Sequence, residues 1–222
     1  MLYNNFNTNL RIYKLLFFVI LIKYLNDNDL EELKVIERFF PDMKVDKVED
    51  ISMDDLRENK IKALILDIDN TICEWKMEPK ENIKAWLNLL KRNGIQICLV
   101  SNNKRYRVEK VGRILEINSI HSALKPSRKA FLSAASVMGV GPEQIAVVGD
   151  QIFTDIYGGN RLNMFTIYVN PICEKDYLFV RMKRPFEGFV LRKYRSRTYI
   201  QKQKRIMWKQ RSMIKKYNSN EV

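Results

Sequence analysis

Four short apolar runs constrain this chain more than any other feature: ALIL at 63–66, ICLV at 97–100, IAVV at 145–148 and TIYV at 166–169. None alternates apolar with polar residues, as a half-solvated strand would, so each reads as a strand buried on both faces. Segments of helical period lie between them. PKENIKAWLNLLKRNG puts Ile83, Trp86, Leu87 and Leu90 on one face, opens near Pro79 and stops at Gly94. YRVEKVGRILEI does the same with Val108, Val111, Ile114 and Leu115, and SRKAFLSAASVMG ends on Gly139. SIHSALKP reads as a short strand or turn, and TDIYGGNRLN as a short helix or loop. Strands alternating with helices of about a dozen residues imply βαβ units, hence an α/β fold with a parallel sheet between two helical layers.

The flanks have a different character. Residues 1–36 form an N-terminal extension, 37–190 the α/β domain and 191–222 a basic tail. The extension contains the apolar run Leu15–Ile22, flanked by Arg11, Lys14 and Lys23. Eight residues fall short of the roughly 20 that a spanning helix needs, and no small-residue cleavage site follows Lys23. Three readings stay open: an element packed on the body, an anchor at a membrane surface, and a signal-anchor. The extension ends in a helical pattern, DLEELKVIERFF, which Pro41 breaks; the next twenty residues are polar and rich in acids. From Gly188 to Asn220 there are eleven basic residues and no acidic one. The apolar pairs Tyr199–Ile200, Ile206–Met207 and Met213–Ile214 recur every seven residues, which makes one apolar stripe on a cationic helix. The net charge of +13 suits an anionic partner. Cys73, Cys98 and Cys173 show no metal-ligand spacing and read as free thiols in a reducing compartment, so a cytoplasmic location is expected.

Ligands of a parallel α/β sheet bind beyond the carboxyl ends of its strands. Here those ends carry Asp67, Asp69 and Thr71; then Ser101, Asn102 and Asn103; then Asp150, with Asp155 further on. Lys125 lies between, just before Pro126. Such an oxygen-rich set suits Mg²⁺ and a phosphate. Each piece has a plainer reading. Asp69-Asn70-Thr71 alone reads as a turn with a helix cap, Ser101-Asn102-Asn103 as another cap, and Lys125 as a solvated lysine.

Four motifs in order outweigh those separate readings. DIDNT at Asp67–Thr71, LVSNN ending at Asn103, Lys125 and GDQIFTD at Gly149–Asp155 resemble the motifs of the haloacid dehalogenase-like hydrolases. LDIDNTICEW, VSNN, KP, GDQIFTDIYGGNRLN and TIYVNPI are more closely similar to the YqeG-type phosphatases of subfamily IIIA, a group akin to the phosphatidylglycerophosphate phosphatases. The resemblance spans roughly residues 37–195 and implies a Rossmannoid three-layer sandwich. It also implies the site roles. Asp67 is the nucleophile that becomes an aspartyl-phosphate, and Asp69 protonates the leaving oxygen and then activates water. Mg²⁺ is held by Asp67, the Asp69 carbonyl and Asp150, with Asp155 in support. Ser101 and the Asn102 amide hold phosphate oxygens, Lys125 offsets their charge and Thr71 orders the motif loop. His121 reads as structural or near the mouth, and Trp75 as packing or as a platform for substrate.

Substrate clues come from what is short. About eight residues separate Thr71 from the next helix and about twenty separate Asn103 from Lys125, so a cap domain does not fit at either place. The expected fold is therefore capless and the site open, as suits a lipid headgroup, a phosphoprotein or a nucleic-acid end. With the resemblance, this favours phosphatidylglycerophosphate in phospholipid synthesis, met at the inner face of a membrane that the basic tail would bind. Two alternatives stay open: a nucleic-acid or ribosome-associated protein, whose tail stacks Tyr194, Tyr199, Trp208 and Tyr217 on bases, and a broad small-molecule phosphatase. The family's open sites also imply a homo-oligomer in which a partner subunit covers the mouth.

Overall fold

The computed structural model describes residues 36–173 and 187–198. The Leu15–Ile22 run, residues 29–35 of DLEELKVIERFF and the striped part of the basic tail lie outside these residues. Six strands, β1 Met43–Val45, β2 Ala63–Leu66, β3 Gln96–Val100, β4 Asn118–Ile120, β5 Ile145–Gly149 and β6 Phe165–Val169, form one sheet in the order β1-β6-β5-β2-β3-β4. Every pairing is parallel. The helices are α1 Met53–Glu58, α2 Glu81–Arg92, α3 Arg105–Leu115, α4 Arg128–Met138, α5 Tyr157–Asn160 and α6, residues 187–198. A π-turn, Ile152–Ile156, leads straight into α5.

The sheet has helices on both faces, which explains the unbroken apolar runs. Leu64 and Leu66 of β2 join Ile97, Leu99 and Val148 in a core with Leu87 and Leu90 of α2 and Val108 and Val111 of α3. Ala63 and Ile65 point the other way, into a core with Cys98, Val100, Val147 and Phe131 of α4. Helix α4 ends on Gly139 at φ 64°, a left-handed position that favours glycine. A third apolar cluster joins Phe39, Ile152, Phe153, Ile156 and Tyr168 to Val190 of α6. Helix α6 spans residues 190 and 191.

One strand is not legible in the chain. β1 falls within the polar stretch after Pro41, is three residues long and, among the described residues, pairs only with β6. Its register depends on a tertiary contact. The Asp42 carboxylate accepts both the Thr166 N–H, at 2.8 Å, and the Thr166 hydroxyl, at 3.0 Å.

The chain runs outward from β2 through β3 to β4, then returns to β5 on the other side of β2 and runs outward again to β6. The topological switch therefore lies between β2 and β5, where such sheets open a crevice at their carboxyl edge. The segments that could carry a cap, 67–80 and 101–124, are a loop and a loop with helix α3 and strand β4, so the fold is capless. Among the described residues no helix is long and apolar enough to cross a membrane.

Candidate active site

Asp67 and Asp150 leave adjacent strands at the switch point, and both are buried. After Asp67 the chain folds into a tight loop in which the Ile68 carbonyl accepts N–H groups from Thr71, Ile72 and Cys73. Asn70 takes φ 65°, which asparagine tolerates better than most residues. The loop turns Asp69 toward the mouth and sends the Thr71 hydroxyl back to Asp150 Oδ1, at 3.4 Å. Thr71 thus ties the motif loop to Asp150.

Lys125 reaches the same place from the loop after β4, in which Ser122 and Leu124 are left-handed at φ 48° and 52°. Its backbone is clamped by Asn102, whose Oδ1 accepts the Lys125 N–H at 2.6 Å. Its ammonium donates to Asp67 Oδ1 at 2.5 Å and to Asp155 Oδ1 at 2.6 Å. Asp155 is held by its own turn, since Oδ2 accepts from the Gln151 N–H and the Thr154 hydroxyl, each at 3.3 Å. Glycine is required behind it: a Cβ on Gly149 would lie 2.4 Å from the Asp155 carboxyl carbon.

Oxygens of Asp67, Asp150 and Asp155 lie within 4.8 Å of one another. Three buried carboxylates gathered at one point form a purely oxygen donor set, which fits a hard divalent ion such as Mg²⁺. Burial pushes Asp67 from 3.8 up to about 8; Lys125 works against the shift, while Asp155 and Asp150 add to it. Burial alone would lower Lys125, but Asp155 and Asp67 outweigh it and raise the ammonium above its ordinary value.

The second carboxylate of the motif has different surroundings. Asp69 Oδ1 lies 2.9 Å from Arg107 Nη2, and Oδ2 accepts from the Asn103 side-chain amide. The same Arg107 nitrogen lies 3.2 Å from Cys73 Sγ. Burial nevertheless pushes the Cys73 thiol up to about 12, so it is no nucleophile near neutral pH. The Ser101 hydroxyl faces the loop and accepts the Asn103 N–H at 3.2 Å. His121 contacts Ser122, at 3.3 Å, and shares no hydrogen bond with the carboxylates. Trp75 stands at the surface, with the Lys76 ammonium 4.0 Å from its ring centre.

The arrangement has counterparts among known proteins. The sequence model of the haloacid dehalogenase-like hydrolases matches residues 73–163. The probable phosphatase YqeG of Bacillus subtilis is 35% identical over 169 residues, 75% of this chain and 98% of that protein. The chain belongs to the haloacid dehalogenase-like hydrolases. It is a phosphatase of that family, a phosphoric monoester hydrolase. A glyceraldehyde 3-phosphate phosphatase of Pyrococcus furiosus is 26% identical over 116 residues, 49% of this chain and 48% of that protein. The cobalt-bound deoxy-D-mannose-octulosonate 8-phosphate phosphatase of Haemophilus influenzae superposes with a TM-score of 0.43 at 16% identity, covering 61% of this chain and 90% of that one.

For this hydrolase the chain brings together Asp67, Asp150, Asp155, Lys125 and Thr71 in one buried cluster, and Asp69 beside it at the mouth. Ser101 and Asn102 flank both. Sequence reading missed Asn103 and Arg107 as partners of Asp69. Asn103 is visible in LVSNN as the residue after Ser101 and Asn102. Arg107 carries no signal of its own, because only the loop between β3 and α3 brings the first turn of that helix over Asp69.

Proposed function

We propose that this phosphatase is Mg²⁺-dependent, works through an aspartyl-phosphate and acts on phosphatidylglycerophosphate at a bilayer surface. The observation that carries the reaction is Lys125 bridging Asp67 and Asp155 with Asp150 buried beside them. Asp67, the Asp69 carbonyl and Asp150 would hold Mg²⁺, which when bound supplies charge neutralisation and orientation for the phosphoryl group. A carboxylate oxygen of Asp67 attacks phosphorus in line, the P–O bond to the alcohol breaks, and Asp69 gives that oxygen its proton. Asp69 then takes a proton from water, whose oxygen attacks the same phosphorus. Inorganic phosphate leaves and the Asp67 carboxylate is restored. Lys125 offsets negative charge throughout. Ser101 and the Asn102 backbone N–H donate to phosphate oxygens, and Asp155 fixes the lysine.

Support for a lipid comes from the rim. Five exposed large apolar side chains, Trp75, Met77, Tyr106, Leu124 and Ile172, follow the carboxyl ends of β2, β3, β4 and β6. Lys76, Lys104, Arg128 and Lys129 are exposed on the same edge. An apolar and cationic rim around an uncapped site suits an anionic surface, where each basic residue contributes about 1 kcal/mol at low salt.

The test is phosphate release from phosphatidylglycerophosphate in mixed micelles with Mg²⁺, beside a panel of sugar phosphates and nucleotides. A clear preference for the lipid is expected, and turnover of the soluble esters alone would overturn that choice. Co-sedimentation of the full chain with anionic liposomes, and not with RNA, is the matching expectation for the partner. Light scattering tests whether a second copy covers the mouth.

A further inference from the structure

Glu187 is the first described residue of α6 and is 2% exposed. Its Oε1 accepts the Ile152 N–H at 3.0 Å. Ile152 is the first residue of the π-turn, which follows Asp150 and carries Asp155. Inside that turn the Asp155 and Ile156 N–H groups donate to the Gln151 carbonyl, and the Tyr157 N–H donates to Ile152. The Ile152 N–H precedes these bonds and belongs to the donors that a helix start leaves without an internal acceptor. Gln151, at the capping position, makes no side-chain bond there, and glutamine is not among the good capping residues. Glu187 supplies the missing acceptor from another element.

The same helix holds the turn by apolar contact. Val190 is fully buried in one cluster with Ile152, Phe153 and Ile156. Tyr194 packs edge-on against Phe40 with ring centres 5.7 Å apart, and Arg197 pairs with Glu37. The back of the turn is thus fixed by α6, while its front presents Asp155 to Lys125. Gly149 leaves Asp155 no slack, so a shift of the turn would displace Asp155 and, through Lys125, Asp67. A carboxylate is costly to bury, and its use here is to hold a backbone donor beside the acidic cluster.

We propose that Glu187 is a positioning residue: from α6 it caps the turn between Asp150 and Asp155 and so sets the geometry of the acidic cluster, in which Asp67 and Asp150 would hold the divalent cation. The proposal rests on the cation-binding part of the reading above. The experiment titrates Mn²⁺ into the metal-free full chain, followed by the electron paramagnetic resonance of free Mn²⁺, with thermal unfolding measured alongside. Glu187→Ala is expected to weaken Mn²⁺ binding about tenfold. Glu187→Gln, which keeps an acceptor oxygen at the same reach, is expected to stay near the parent. Equal affinity in parent and Glu187→Ala overturns the proposal, as does equal loss in Glu187→Ala and Glu187→Gln. Should the alanine variant not fold, Glu187→Asp draws the oxygen back by one methylene, and the same loss or its absence decides. A parent chain that binds no Mn²⁺ overturns the proposal together with the Mg²⁺ reading. A parent that binds Mn²⁺ but hydrolyses no phosphomonoester sinks only the proposed reaction.

Discussion

Two clusters of charge sit side by side at the carboxyl edge of the sheet and solve their electrostatics differently. At the end of β2 and β5, Asp67 and Asp155 share one lysine with Asp150 buried beside them, a carboxylate set that suits a divalent cation. In the loop after β2, Asp69 is 15% exposed at the mouth, and one guanidinium and one amide from the segment after β3 meet its carboxylate. In the proposed mechanism the first cluster takes a divalent ion and a phosphoryl group, and the second exchanges a proton with the substrate. The difference teaches that the two aspartates of one motif are assigned their chemistry by burial and by neighbours, not by spacing.

Breaking the buried cluster should have the largest effect. Asp67→Asn removes the nucleophile, and the expected loss in kcat is on the order of 10⁴-fold or more, read by phosphate release. Chelation should stop turnover as completely, with full recovery on adding Mg²⁺; activity that survives exhaustive chelation would mean the cluster needs no cation. Breaking the mouth should cost less. Asp69→Asn keeps the shape and removes the proton donor, for an expected loss in kcat of roughly 10²- to 10⁴-fold. Arg107→Ala leaves Asp69 chemically intact and only loosens it, so a drop of about tenfold in kcat is expected.

The smallest effect sharpens the comparison through stability. Asp67 titrates at about 8 in the folded metal-free chain against an ordinary 3.8. Between those values the folded state holds a proton that the unfolded state has released. Metal-free stability should therefore fall as pH rises through that window. Urea midpoints measured with and without Mg²⁺ check this, because the ion binds the ionised carboxylate and should remove the decline. An unchanged slope with Mg²⁺ would place the ion elsewhere.

Much of this was legible because parallel strands buried on both faces must be continuous apolar runs, and because their carboxyl ends are where polar residues become useful. β2, β3, β5 and β6 stand out in the chain for that reason, and Asp67, Asp69, Ser101, Lys125 and Asp150 stand out with them. β1 does not, since an edge strand of three residues with half-buried side chains carries no hydrophobic pattern, and its register comes from Asp42 meeting Thr166 across 124 positions. Asn103 is adjacent to a readable motif, whereas Arg107 and Glu187 look like any surface arginine and glutamate until loops bring them to Asp69 and Ile152.

The sequence by itself determined the sheet, the helices that cover it and the chemical inventory at its edge, because periodicity and residue type act locally along the chain. Only the tertiary structure decided which carboxylate is buried against a lysine, which is held at the mouth by an arginine, and that a helix from beyond β6 caps the acidic turn. Those outcomes depend on distances between residues far apart in the chain, and burial and Coulomb energies follow distance in space rather than separation in sequence.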